Sequence, residues 1–192
     1  MSNQVIRTIL DRVSSPKLTE PGPSNEQLED ILKCALRAPD HARLKPWKFW
    51  TLQDQALADL GHIFAKACLD ANPDAPEDKV LKCQNMPLRA PLMIVATCEP
   101  TTTPKVPDYE QELAVGAAIQ NMQIAISSLG LGSIWRTGEM AESARVKHAF
   151  GLSERGKIIG FVYIGTPEKP LAPQTVEIGS QVESWTQAVK PN

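Results

Sequence analysis

The densest hydrophobic pattern of the chain lies between residues 109 and 138. Apolar side chains recur at helical spacing up to Leu129, which predicts a helix of about five turns. Two apolar faces follow from that spacing; they consist of Ile119, Met122, Ile126 and Leu129, and of Leu113, Ala117 and Ile124. We expect such a helix to be buried, either in a core or against a partner chain. Gly130 suits a left-handed cap, and residues 133–136 then predict a short strand.

Other segments of the chain predict further helices and strands. Helices are predicted at residues 5–13, 55–69, 78–86 and 141–150, and strands at residues 47–52, 91–98 and 157–165. One more helix is predicted to begin after Ser24, because Ser24 and Gln27 form a capping box, and to stop before Pro39. This order favours an α+β fold, with a sheet packed on long helices, over a doubly wound sheet.

The chain has no internal repeat, low-complexity run or domain boundary, so residues 1–192 are interpreted as a single domain. From residue 170 onwards the periodicity is lost, and residues 170–192 are interpreted as an extended C-terminal tail. The tail still carries large apolar side chains, which are Val176, Ile178, Val182 and Trp185. We expect them to lie along another surface, with a partner subunit as one option.

Composition and charge exclude several classes of function. The net charge of −2 and the 22% of charged residues give no basis for binding nucleic acid or acidic lipid. No apolar stretch reaches the length of a membrane span, and Arg7, Asp11 and Arg12 interrupt any signal peptide. Neither the four cysteines nor the three histidines have the spacing of a metal site. We therefore expect buried, reduced thiols, no metal and a cytoplasmic location.

Four segments together resemble the nitroreductase family of FMN-dependent oxidoreductases, and most closely its short NAD(P)H nitroreductases. They are Arg-Val-Ser at 12–14, Leu-Arg-Ala-Pro-Asp-His-Ala-Arg-Leu-Lys-Pro-Trp at 36–47, Gly-Leu-Gly-Ser-Ile-Trp-Arg at 130–136 and Phe-Val-Tyr-Ile-Gly-Thr-Pro at 161–167. The resemblance extends from Asp11 to about Pro167. It implies a nitroreductase-like sandwich, in which helices flank a mainly antiparallel sheet. It also implies an interlocked homodimer with FMN at the interface and the long helix within it.

The resemblance further implies which residues bind the flavin. Arg12 and Ser14 correspond to a phosphate-binding pair, with Lys169 as an extra cation and Arg136 near the phosphate or the ring edge. Lys17 corresponds to a basic residue that stabilises the reduced ring near N1 and the C2 carbonyl.

Further contacts are implied at the ring. Ile134, Trp135, Arg136, Thr137 and Gly138 would line the ring, and Val13 completes the 12–14 segment. Arg37 and His41 resemble residues that the partner subunit contributes. The flavin itself performs the redox step, so no catalytic side chain is expected.

The implied activity is hydride transfer from NAD(P)H to flavin N5, and then on to nitroaromatic or quinone-like acceptors in a ping-pong cycle. The chain departs from the family pattern at Val13, where a second arginine is common, and at Lys45, where glutamine is usual. Two alternatives therefore stay open. One is a flavin-binding or storage protein with little turnover, and the other is a structural dimer with an empty pocket.

Overall fold

The computed structural model describes residues 3–103 and 105–185. The helices are α1 (Gln4–Asp11), α2 (Asn25–Ala35), α3 (Gln55–Ala71), α4 (Glu77–Gln84), α5 (Asp108–Ser128), α6 (Glu139–Glu142) and α7 (Ala144–Ala149). The strands are β1 (Leu18–Thr19), β2 (Trp47–Gln53), β3 (Leu92–Cys98), β4 (Gly132–Arg136) and β5 (Lys157–Pro167). Short 3₁₀ turns occur at His41–Arg43, Pro87–Arg89 and Gly179–Gln181.

The strands form one antiparallel sheet built around β5. Strand β3 pairs with β5 and with β2, and β1 pairs with β5 near its C-terminal end. Strand β4 pairs with β5 from Gly132 opposite Gly165 to Arg136 opposite Phe161. The prediction of an α+β fold with a mainly antiparallel sheet flanked by helices is confirmed.

The two faces of the sheet bury different sets of side chains, as the alternation along a strand requires. Met93, Val95, Phe161 and Tyr163 belong to a cluster with Leu60 and Phe64 of α3. Leu92, Ile94, Val162 and Ile164 belong to a cluster with Ile31 of α2 and with Val115, Ile119, Met122 and Ile126 of α5. Helix α3 therefore covers one face of the sheet, and helices α2 and α5 cover the other.

Helix α5 has one buried face and one exposed face. Ile119, Met122 and Ile126 are fully buried against the sheet, whereas Leu113 is 67% exposed. Helix α1 extends the exposed apolar area, because its four largest apolar side chains are each at least 45% exposed: Val5, Ile6, Ile9 and Leu10. An apolar surface of this extent on a single chain marks an interaction site.

Three local features differ from expectation. The predicted helix at residues 141–150 is two helices, because Ser143 takes an extended conformation and caps α7. Strand β1 was not predicted, since two residues carry no periodic signal. Cys34 is exposed, so the prediction of buried thiols is wrong for that residue, although Cys68, Cys83 and Cys98 are buried.

The tail lies outside the sheet and the helical layers. Residues 168–185 are exposed, and their apolar side chains include Trp185 at 80% exposure. Positions 186–192 of the predicted tail lie outside the described residues. None of the described helices is long and apolar enough to cross a lipid bilayer.

Candidate functional site

The segment that follows α1 forms backbone hydrogen bonds with the first half of β4. Ser14 bridges Ser133 in parallel, and the Ser15 N–H donates to the Ser133 carbonyl at 2.9 Å. Gly132 permits this approach, since a Cβ there would lie 3.0 Å from the Ser15 hydroxyl oxygen and 2.7 Å from the Pro167 ring. Residues 12–17 and the exit of β5 therefore meet at the start of β4.

Arg12 ends α1 and begins the segment that joins β4. Its backbone N–H donates to the Thr8 carbonyl at 3.1 Å and so caps the helix. Its guanidinium Nη1 is buried and has no hydrogen-bond partner among the described residues. Buried guanidinium donors almost always have an acceptor, and a phosphate or carboxylate is the acceptor that fits them best. The donor set of Arg12 with the exposed Ser14 beside it thus fits a phosphate group.

Lys17 and Lys169 lie on the outer side of the same junction. Both line a cavity of about 200 Å³ together with Glu168. Lys17 Nζ is 3.5 Å from a Glu168 carboxylate oxygen, and the Lys17 side chain is 79% exposed. The charge of Lys17 is therefore partly compensated and largely in water.

The second half of β4 presents Trp135 at its edge. The Trp135 indole N–H donates to the Ile159 carbonyl at 3.0 Å. Ile159 has no partner on β3, because the pairing of β3 with β5 shifts register at this point. Ala96 lies opposite Gly160, whereas the next residue, Thr97, lies opposite Ile158. Apart from the bridge at Ser133, no described strand pairs with the outer edge of β4. An open strand edge offers backbone donors and acceptors to a ligand.

A cleft of about 420 Å³ lies on the α3 side of the sheet, at the end of β4. Its lining residues are Phe64, Met86, Arg89, Arg136, Thr137, Gly138, Glu139, Met140, Phe161 and Tyr163. Burial raises the pKa of the Tyr163 hydroxyl, while the charges of Arg89 and Arg136 act in the opposite direction. Both guanidinium groups are thus close enough to Tyr163 to influence it.

Arg89 and Tyr163 were missed by the sequence analysis, whereas Arg136 and Gly138 were predicted. Arg89 ends the 3₁₀ turn just before the fully buried strand β3. A cation immediately before such a strand lies at the edge of the sheet, and that signal was available in the sequence. The approach of Arg89 to Tyr163 depends on the pairing of β3 with β5, which the sequence does not specify.

Arg37 and His41 lie away from this cleft in the single chain. Arg37 is exposed and lines a groove of about 480 Å³ formed with Val5 of α1 and Ile124 of α5. His41 Nδ1 lies 2.7 Å from a carboxylate oxygen of Glu110 on α5. Both residues therefore adjoin the exposed apolar face of α1 and α5.

The loop that carries His41 has an unusual backbone. Ala42, Arg43 and Lys45 all have positive φ, between 51° and 59°, which side chains other than glycine rarely adopt. The Lys45 N–H donates to the Asp40 carboxylate at 2.7 Å and closes the loop. Strained backbone of this kind clusters at ligand-binding sites. Within the described residues no cluster of three or more His, Cys, Asp or Glu could hold a metal ion.

The model of the nitroreductase family matches residues 9–166. The segment includes β4, β5 up to Thr166, the junction at Arg12 and the cleft at Arg136. The chain therefore belongs to the nitroreductase family.

Individual relatives agree with this assignment. The Escherichia coli K12 protein named "Putative NAD(P)H nitroreductase YdjA" is 38% identical over 164 residues, which cover 85% of this chain and 88% of that protein. A Haemophilus influenzae protein named "Putative NAD(P)H nitroreductase" is 38% identical over 157 residues, which cover 81% of this chain and 84% of that protein. The chain thus spans most of the length of these relatives.

Solved structures share the fold at lower identity. The nitroreductase-like family protein from Bacillus cereus superimposes with a TM-score of 0.81 at 21% identity, covering 97% of this chain and 98% of that one. A nitroreductase from Bacteroides fragilis, with bound FMN, gives 0.72 at 20% identity and covers 95% and 100%. The NADPH:FMN oxidoreductase from Vibrio harveyi, complexed with NAD+, gives 0.73 at 21% identity and covers 99% and 80%.

Proposed function

We propose that this chain is an FMN-dependent NAD(P)H oxidoreductase that works as a homodimer. Its membership of the nitroreductase family supports the proposal, as do relatives named as NAD(P)H nitroreductases and structural neighbours with bound FMN or NAD+. The observation that carries it is the Nη1 atom of Arg12, which is buried without a hydrogen-bond partner among the described residues, on the segment whose Ser14 and Ser15 join the strand edge at Ser133.

The FMN phosphate is assigned to the junction at the start of β4. Arg12 would donate to it from its buried Nη1 atom, and Ser14 and Val13 would approach it from the same segment. Lys169 adds a cation close by, on the exit of β5. Charge-assisted hydrogen bonds of this kind are worth about 1.5–3 kcal/mol each, enough to distinguish FMN from a flavin without phosphate.

The flavin ring is assigned to the second half of β4. Ile134, Trp135, Arg136, Thr137 and Gly138 would hold it, because they combine an aromatic side chain, a cation and backbone groups at an open edge. Bound FMN would supply hydride transfer from NAD(P)H at N5 and then to a nitroaromatic or quinone-like acceptor, in turn at one site. The protein's own part is to bind and orient these partners and to exclude water, and no side-chain nucleophile is assigned.

The homodimer is assigned to the exposed face of α1 and α5. That face carries Leu113 and the apolar side chains of α1, and an obligate dimer interface has this apolar character. The partner subunit's Arg37 and His41 would reach the flavin site from it. The exposed residues 170–185 would extend along the neighbouring subunit.

A reducing compartment fits the cysteines. All four of them are free, namely Cys34, Cys68, Cys83 and Cys98. Thiols stay reduced in the cytosol and pair in oxidising compartments. We therefore propose a cytoplasmic location.

The test is an anaerobic spectrum of the purified protein. We expect a yellow flavin spectrum that bleaches when NADH or NADPH is added and returns when a nitroaromatic or a quinone is added. A bound flavin that dithionite reduces and neither nicotinamide reduces would overturn the oxidoreductase and favour flavin storage. A colourless protein whose melting temperature does not respond to FMN would overturn flavin binding altogether.

A further inference from the structure

The cleft at the end of β4 contains two cations without a counter-ion. Arg89 and Arg136 are both half-buried, and neither forms an ion pair with any described carboxylate. Glu139 lies exposed at the rim of the cleft and pairs with neither of them. Charges withdrawn from water without a partner are unfavourable. The cleft therefore suits a negatively charged or electron-rich group from outside the chain.

Aromatic and sulfur-containing side chains form the apolar part of the cleft wall. Phe64 and Phe161 contact each other edge to face, with ring centroids 5.4 Å apart and an interplanar angle of 75°. Met86 and Met140 supply the other apolar surface. Such walls favour a flat ring, and Tyr163 adds a hydroxyl donor at the same place. The ligand that matches is planar, with hydrogen-bond acceptors along one edge.

We propose that Arg89, with Tyr163, binds the N1–C2 carbonyl edge of the flavin and is the cation that stabilises the reduced ring. This inference rests on the proposed function. It moves to Arg89 the role expected for Lys17. The Lys17 side chain is 79% exposed and is paired with Glu168, so water and the carboxylate weaken its field. Arg89 is half-buried and has no ion-pair partner among the described residues, so its charge is screened less than that of Lys17.

Tyr163 complements Arg89 as a neutral donor. It is 3% exposed, and burial raises the pKa of its hydroxyl, which keeps the proton on the oxygen at physiological pH. The two groups thus combine one cation and one neutral donor. A cation at this edge binds the reduced flavin more tightly than the oxidised flavin, and the reduction potential rises as a result.

The experiment compares the FMN affinity and the midpoint potential of the wild-type holoprotein and Arg89→Met. We expect the variant to lose at least tenfold more affinity for reduced FMN than for oxidised FMN, a drop of about 30 mV for a two-electron couple. Arg145→Met is the matched control, since it removes a surface guanidinium paired with Asp70. Its potential should equal that of the wild type. Lys17→Met should shift the potential less than Arg89→Met does.

Two further variants address folding. Tyr163→Phe removes only the hydroxyl and should also lower the potential, so it decides the matter if Arg89→Met does not fold. Arg89→Lys keeps the charge and should recover at least half of the shift.

Several outcomes would overturn the inference alone. One is an unchanged midpoint potential in Arg89→Met or, if that variant does not fold, in Tyr163→Phe. Another is a shift of the midpoint potential in Lys17→Met that is larger than the shift in Arg89→Met. The same holds if Arg89→Met keeps its potential and loses turnover of 4-nitrobenzoate but not of neutral 4-nitrobenzyl alcohol. That result would assign Arg89 to an acidic acceptor. In each of these cases the proposed function still holds if NADH or NADPH reduces the flavin of the wild-type protein. A wild-type protein that binds no FMN would overturn both the proposed function and the role of Arg89.

Discussion

The indole ring of Trp135 occupies the space that a side chain at position 160 would need. A Cβ built on Gly160 would lie 1.9 Å from the Trp135 Nε1 atom and 2.4 Å from its Cδ1 atom. The same indole N–H donates to the carbonyl of the neighbouring Ile159. Gly160 on the central strand thus fixes the orientation of the largest side chain at the proposed flavin site.

Gly160→Ala should displace Trp135 and break its hydrogen bond to Ile159. Overpacking of this kind costs about 1–3 kcal/mol of unfolding free energy, which urea denaturation would measure. The near-ultraviolet circular dichroism should change as well, and FMN affinity should fall. Gly22→Ala is the control, because a Cβ there meets only the Pro91 ring at 3.4 Å. Equal unfolding free energies for the two variants would contradict the assigned packing.

Arg12→Met should abolish the preference for phosphorylated flavin. Loss of a charge-assisted contact worth about 1.5–3 kcal/mol corresponds to a roughly 10- to 150-fold loss of FMN affinity. Riboflavin lacks the phosphate and serves as the matched ligand, so its affinity should change little. Fluorescence titration of both flavins gives the two constants. A variant that still prefers FMN over riboflavin as strongly as the wild type would show that the phosphate binds elsewhere.

Leu113→Asp should convert the protein to a single subunit. Leu113 is 67% exposed on the apolar face of α5, where a charge would have to be buried in the proposed interface. Light scattering coupled to gel filtration would report the mass, and the flavin content should fall with it. Leu81→Asp on α4 is the control, since Leu81 is 53% exposed on a different helix. A Leu113→Asp protein that stays dimeric with full flavin content would exclude this face as the interface.

The cysteines should differ sharply in their reactivity. Burial raises the pKa of Cys98 to about 12 and that of Cys83 to about 11, so both remain protonated at pH 8 and cannot attack an alkylating agent. Cys34 is exposed in the single chain and lines the groove between α1 and α5, so it should be labelled first by iodoacetamide in the Leu113→Asp protein, where the proposed interface no longer covers it. Peptide mass spectrometry after timed quenching gives the order, and labelling in urea confirms that all four sites can react. Labelling of Cys98 before Cys34 in the folded variant would contradict the packing of β3.

Local chemistry made much of the fold predictable. Ser24 and Gln27 form the capping box that their spacing predicts, with hydrogen bonds of 3.2 Å and 2.9 Å. Gly130 has a φ of 75°, as a left-handed cap requires. The apolar run of β3 is buried at every position. In each case the signal and the structure lie within a few residues of each other.

The parts that could not be predicted depend on distant contacts. Strand β1 exists because Leu18 and Thr19 pair with the far end of β5, which two residues cannot signal. The boundary at Ser143 arises because its hydroxyl accepts from the Val146 N–H, at 3.5 Å, inside a run that otherwise favours helix. Arg89 meets Tyr163 only through the sheet register. The proposed roles of Arg37 and His41 need a second copy of the chain.

The buried Nη1 atom of Arg12 also leads us to expect that the lifetime of this protein in the cell depends on the supply of riboflavin. A ligand that binds only the folded chain stabilises it in proportion to the logarithm of the ligand's concentration. We therefore expect an empty copy, in which that nitrogen is buried without a hydrogen-bond partner among the described residues, to unfold more readily and to be degraded sooner. Cells starved of riboflavin would therefore lose the protein by proteolysis while its messenger RNA stays constant.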